Sequence, residues 1–213
     1  MATYDREALR LEVREELQED DTETDPTWDN DFINTWINRY ARNVAKITKC
    51  LEGYGEITTV ASTVNYAYPT NHFEVKLMKR DEVTEVNLKT INYLKTINRT
   101  TEGSPRYYLP FDDQLYLYPV PDGVFTMNVW GYMVPTWMTT DGTNLDITDE
   151  AIVDIILKMV IARCRKVEEE FGVFNQYMSE VPFDVADYLH EDMIKGEQSS
   201  QGVRDEMGYG GDY

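Results

Sequence analysis

Residues 105–137 read PRYYLPFDDQLYLYPVPDGVFTMNVWGYMVPTW, and the fold is decided there. Leu115, Leu117 and Pro119 alternate with Gln114, Tyr116 and Tyr118, the period of two that sends successive side chains to opposite sheet faces. Val120-Pro121-Asp122-Gly123 follows, where Pro presets φ for a turn and Gly accepts the positive φ that closes it. Phe125, Met127, Val129 and Gly131 then alternate with Thr126, Asn128, Trp130 and Tyr132. Two alternating runs around Pro-Asp-Gly predict a hairpin within 112–133, the centre of a small antiparallel β-domain. Its aromatic content implies that both faces are covered, by the chain's own helices or by neighbouring subunits.

Upstream, Leu9, Val13 and Leu17 recur every four residues and predict a helix over 4–19. Its apolar stripe is narrow, which places it on the outside of the body, free to pack on a neighbour. Residues 19–31 are a connector, and Pro26 stops any helix through it. Ile33, Trp36, Ile37, Tyr40, Ala41, Val44, Ile47 and Leu51 lie on one broad face, predicting a long helix over 30–51. Asn30 or Asp31 is placed to cap it, and Gly53 and Gly55 to end it. From Glu56 the period shifts to two, through Tyr66, Tyr68, Phe73, Val75 and Leu77, and 88–97 reads as a short helix.

Downstream, Thr148 is placed to cap a second long helix over 148–171, with Asp149 and Glu150 in its first turn. Helical sequence continues weakly to 194, interrupted by Pro182. Residues 196–213 are too poor in apolar groups to fold alone and predict a flexible C-terminal arm. The fold class is therefore α+β: a helical bundle and a β-region over 55–137 in one domain over 1–195, followed by the arm.

The chain has 213 residues, 42% of them hydrophobic, and a net charge of −19. Residues 1–31 hold 12 acids and 3 bases, 168–213 hold 12 and 2, and 32–167 hold 15 of each. Acidic ends repel nucleic acid, whose affinity for proteins comes largely from Lys and Arg on phosphate. They suit a solvated surface, a basic partner, or the wall of a conduit that must not grip DNA. No apolar run reaches the roughly 20 residues of a membrane span, and no signal peptide is visible at the start. Cys50 and Cys164 read as reduced thiols, with a disulfide between them left open.

Motifs of catalysis are missing. Asp21, Glu23 and Asp25 imitate a calcium loop, but Pro26 stands where the turn needs Gly and Phe32 where the bidentate Glu belongs. His72 and His190 lack metal-binding spacing and read as surface residues. GxSxG, Walker and GxGxxG patterns do not occur, and Asp112-Asp113 read as turn residues rather than a catalytic pair. The sequence predicts no enzyme, no cofactor and no metal. Binding features are stronger. Tyr116, Tyr118, Trp130, Tyr132 and Trp137 either fill the core or form a subunit interface, where aromatics are enriched. Met207, Tyr209 and Tyr213 lie in the arm, where spaced aromatics suit insertion into a partner.

The order of these pieces resembles the head–tail connector, or portal-adaptor, proteins of tailed bacteriophages, over most of residues 5–170. Trp36-Ile37-Asn38 looks like the family's aromatic-aliphatic-Asn step, and Tyr66-Ala67-Tyr68-Pro69 is similar to its strand closing on Pro. Gly103-Ser104-Pro105-Arg106-Tyr107-Tyr108 resembles its G-x-P-x-x-Y entry. Leu115 to Asp122 followed by Trp130-Gly131-Tyr132-Met133-Val134-Pro135 resembles its strand, Pro-x-Pro, strand, Tyr-x-x-x-Pro arrangement. The resemblance implies a non-enzymatic virion protein of the neck, made in the host cytoplasm. It implies a homo-oligomeric ring, usually of twelve copies, beneath the portal, with tail or neck proteins as further partners. DNA would pass through the ring without specific binding, and the arm would reach the portal. The competing expectations are an acidic DNA mimic that blocks a basic enzyme or repressor, and an enzyme of unrecognised class. The mimic needs acids along one folded face, whereas here they gather at the two termini.

Overall fold

The structure is a computed structural model and describes residues 4–19, 27–90, 92–93, 100–167 and 171–206, with backbone alone over 192–206. The chain forms two compact units, Met1–Val44 with Trp137–Tyr213, and Ala45–Thr136. The architecture is α+β. Among the described residues, four helices, α1 (Arg6–Leu17), α2 (Asn30–Thr48), α3 (Glu150–Val167) and α4 (Phe171–Glu206), accompany eight strands.

In the first unit, α1 starts at Asp5, whose carboxylate accepts from the Ala8 amide at 2.7 Å. The stripe that sequence places on the outside is buried: Leu9 and Val13 are fully covered, and α1 packs on α3. The narrow stripe suffices because Arg10 and Arg14 are buried beside it, widening the buried face with their aliphatic stems. The helix is thus covered by its own chain. The caps of α2 and α3 also differ from expectation. Asp29 accepts from the Asp31 amide, and Asp149 from the Ala151 amide, so Asp serves where Asn30, Asp31 or Thr148 was expected. Helix α2 ends at Thr48 with Lys49 at φ 54°. Gly53 and Gly55 therefore belong to a strand rather than to the helix end. Pro182 lies inside α4 without ending it, and the backbone stays helical across residues 195 and 196, where the arm was expected to begin.

The second unit carries β1 (Glu52–Thr58), β2 (Asn65–Ala67), β3 (His72–Arg80), β4 (Thr84–Glu85), β5 (Asn87–Leu88), β6 (Tyr107–Phe111), β7 (Gln114–Tyr118) and β8 (Thr126–Met133). They form two sheets, β1-β8-β3-β4 and β2-β7-β6-β5. The expected hairpin does not form: β7 pairs with β6 and β2, while β8 pairs with β1 and β3. The alternation itself is right. Leu115 and Leu117 from one sheet and Met127 and Val129 from the other enter a common core with Ile57 and Met78. Each strand needed its apolar face inside, and opposite sheets satisfy that as well as adjacent strands do. Pro119 and Pro121 lack the N–H donors of a tight ladder. Val120 instead donates to Thr101 O and accepts from Gly103 N, both at 2.9 Å. The tight turn of this region lies at Asp112 and Asp113, both at positive φ, between β6 and β7. The segment 88–97, expected as a short helix, opens on the last residue of strand β5 and holds helical residues 92–93; 91 and 94–97 lie outside the described residues.

Candidate functional site

Period-two geometry sets the polar and aromatic residues of both sheets on the faces turned away from their shared core. On the first sheet, Trp130 and Tyr132 stand two apart on β8, opposite Tyr54 and Glu52 of β1. Tyr54 packs on Trp130 with ring centres 5.3 Å apart, and Lys79 Nζ lies 5.7 Å over the indole. Tyr132 stacks on Phe73 at 6.4 Å, with Lys49 and Lys76 each 5.0 Å from its ring centre. Such ammonium–ring contacts contribute about 0.5–1 kcal/mol each at exposed sites. Lys49 and Lys76 are also paired, with Glu74 at 2.7 Å and with Glu52 at 2.6 Å. The bond to Glu52 is the main reason the Lys76 ammonium titrates above its ordinary range.

Tyr54 organises the edge of this face. Its hydroxyl bonds the Glu56 carboxylate and lies 2.9 Å from Asn128 Oδ1. The bond to Glu56, with burial second, pushes the phenol up to about 12. A hydroxyl owns one proton, and Asn128 Nδ2 is buried without a partner. Turning the Asn128 amide over satisfies both: Nδ2 donates to the tyrosine oxygen, which donates to Glu56.

The second sheet repeats the theme. Tyr116 and Tyr118 alternate with the buried Leu115 and Leu117 of β7. Tyr93 meets Tyr107 at 5.3 Å and Tyr118 at 6.2 Å, and Phe111 meets Tyr116 at 6.0 Å. Lys89 Nζ covers Tyr107 at 4.8 Å. The five aromatics singled out in the sequence therefore fall in three places. Trp130 with Tyr132, and Tyr116 with Tyr118, lie on the outer faces of different sheets. Trp137 belongs to the helical unit, where it is 42% exposed beside a cleft lined by Arg6, Asn34 and Asn38. The lysines above the rings and the partners Tyr54, Phe73 and Tyr107 were not anticipated. Strand parity could have found Tyr54, which pairs with Trp130 across β1 and β8. Lys76 and Lys79 differ in parity and reach one face only because the β3 register shifts between Val75 and Leu77, and Lys49 lies outside any strand.

In the helical unit, the loop after Trp137 is clasped by arginines. Arg6 reaches Asp141 at 2.7 Å and Arg10 reaches it at 2.9 Å. These bonds, Arg10's foremost, hold the Asp141 carboxyl below the usual carboxylate range. Arg14, 2% exposed, donates to Glu19, the Trp28 carbonyl and Asn30. Two guanidinium groups lie over the Trp36 ring, Arg39 at 5.0 Å and Arg163 at 4.5 Å from its centre. Nothing in the sequence marks Arg10 and Arg14 for burial.

His72 is 8% exposed rather than on the surface, with Nδ1 3.1 Å from Thr70 O and Nε2 3.3 Å from Gly53 O. Among the described residues no group of three or more His, Cys, Asp or Glu could hold a metal, and no helix is long and apolar enough to cross a membrane. Both cysteines are outside any disulfide. Met207, Tyr209 and Tyr213, and the acids of 21–25, lie outside the described residues.

The sequence pattern of the SU10 adaptor protein family matches residues 6–193, and the chain belongs to that family. No curated protein matches the chain. The family is one of phage structural adaptors, not of enzymes, which makes this chain a virion component.

Proposed function

From membership of this family, we propose that the chain is the head-to-tail adaptor that forms a ring beneath the portal. The ring, of twelve copies, continues the DNA channel and gives the tail its attachment site. The observation that carries this reading is the division of charge between the two units. Residues 45–136 hold nine bases and ten acids, whereas the helical unit holds eleven bases and twenty-nine acids.

A unit so acidic repels DNA phosphate and suits a passage through which the genome slides without sticking. Acidic units also repel one another, so close copy-to-copy contact falls to the near-neutral β unit. Its outer faces offer half-buried aromatics under lysines, a composition suited to an interface core. Met207, Tyr209 and Tyr213 are the residues assigned to the portal. Sedimentation of the purified chain with and without its portal tests the reading. A complex the size of the portal plus a ring is expected; failure to associate at any concentration would refute it.

A further inference from the structure

Strand β1 is an open border. The order β1-β8-β3-β4 leaves it paired on one side only, and its register with β8 runs without a shift from Glu52↔Tyr132 to Thr58↔Thr126. Met133 N donates to Leu51 O and Thr59 N to Phe125 O, each at 2.9 Å. In an antiparallel ladder bonded residues alternate, so the odd-numbered residues face β8. Glu52, Tyr54, Glu56 and Thr58 therefore turn their N–H and C=O groups outward, and all four are exposed. The other sheet borders are far shorter: β2 has three residues, β4 and β5 two each. Native edges are commonly blunted by Pro, by a bulge or by charges aimed across them. Strand β1 has neither Pro nor bulge, and its carboxylates are tied back, Glu52 to Lys76 and Glu56 to the Tyr54 hydroxyl.

We propose that β1 accepts an added strand from a partner protein. The strand it fits is an extended segment with Lys or Arg on both sides of an apolar or aromatic residue at alternate positions. Backbone groups of the four outward residues supply affinity. Glu52, Tyr54 and Glu56 share one face, so cations are favoured opposite the two carboxylates and a ring or branched chain opposite Tyr54. A second copy's β1 is a poor occupant: antiparallel pairing centred on Tyr54 sets Glu52 against Glu56 twice. The inference is independent of the ring, since it concerns the edge of the sheet and not its faces.

The test uses the full chain, isotope-labelled for amide exchange, with two end-blocked peptides: Thr-Lys-Val-Tyr-Val-Lys-Thr, and the same with Glu for each Lys. The lysine peptide is expected to slow exchange at Glu52, Tyr54, Glu56 and Thr58 about ten-fold or more, sparing the already bonded odd-numbered amides. The glutamate peptide is expected to do nothing, and E52K/E56K to reverse that preference. Thr58→Pro removes one outward N–H without touching the β8 ladder; it should weaken the peptide while the chain melts as before. Equal binding of both peptides, or no slowing at about 1 mM, the weak limit of specific binding, would overturn the proposal and leave β1 a charge-blunted edge.

Discussion

Asn38 and Met138 close a ring of two hydrogen bonds. The Asn38 Nδ2 donates to the Met138 carbonyl at 3.1 Å, and the Met138 amide donates to Oδ1 at 2.7 Å. The carboxamide thus meets a passing chain as another backbone would, offering one donor and one acceptor. Nδ2 also reaches the Asn34 carbonyl one turn earlier, at 2.9 Å. The helix that carries Trp36-Ile37-Asn38 is in this way fastened to the segment that follows Trp137.

Replacing Asn38 with Leu keeps the volume but strands the buried Met138 N–H and C=O. An unpaired buried polar group costs about 1–3 kcal/mol, so the helical unit is expected to lose about 3 kcal/mol. Urea unfolding followed by tryptophan fluorescence checks this. A loss under about 1 kcal/mol would mean that solvent or a neighbour replaces the amide.

Asp141 makes stability depend on pH. Because Arg10 and Arg6 lower its folded value, its contribution is complete above the ordinary carboxyl range, about 3.9. It disappears as pH falls through the lowered folded value. The difference in urea midpoint between the wild type and Asp141→Asn should be present at neutral pH and vanish in acid. A difference that persists in strong acid would show that the aspartate acts by shape rather than charge.

Gly131 sits where β8 meets the irregular register of β3, and a Cβ there would lie 2.0 Å from the Glu74 carbonyl oxygen. Backbone cannot yield as a side chain tip does, so Gly131→Ala is expected to destabilise the β unit by about 3 kcal/mol. Gly123→Ala meets nothing within 4 Å and should be neutral or gain up to about 1 kcal/mol by restricting the unfolded chain. Thermal unfolding of the pair provides the comparison; equal effects would contradict the close approach.

What was legible divides along physical lines. Apolar periodicity placed α2 and α3, and parity grouped Leu115 with Leu117 and Met127 with Val129, the sets that the structure buries in the core, because both follow from backbone geometry alone. Pairing was not legible: β7 and β8 satisfy the same core from opposite sheets, and a Pro-Asp-Gly turn looks alike whether it joins neighbours or crosses between layers. The burial of Arg10 and Arg14 was hidden because an arginine reads as solvated until its acceptors are known. Those acceptors, Asp141 and the Trp28 carbonyl, lie in a distant loop and a connector. Trp130 and Tyr116 were recognisable as a binding signature, but their separation onto two faces depends on the same pairing.

Trp130 and Tyr132 belong to an outer face and not to the core, so serine at either position is expected to leave the unfolding transition nearly in place. The proposed contact between copies should suffer instead. Sedimentation at matched concentrations should find the double variant Trp130→Ser/Tyr132→Ser failing to assemble around the portal. Assembly of unchanged size would remove the first sheet's face from the seam.

The most direct test of the adaptor account is an image of the particle's neck by electron microscopy, with the chain located by a tag or by its fold. The account predicts a closed ring of this chain between portal and tail, its acidic helical units lining the channel. Finding the chain absent from mature particles, or present there only as a single copy, would contradict it.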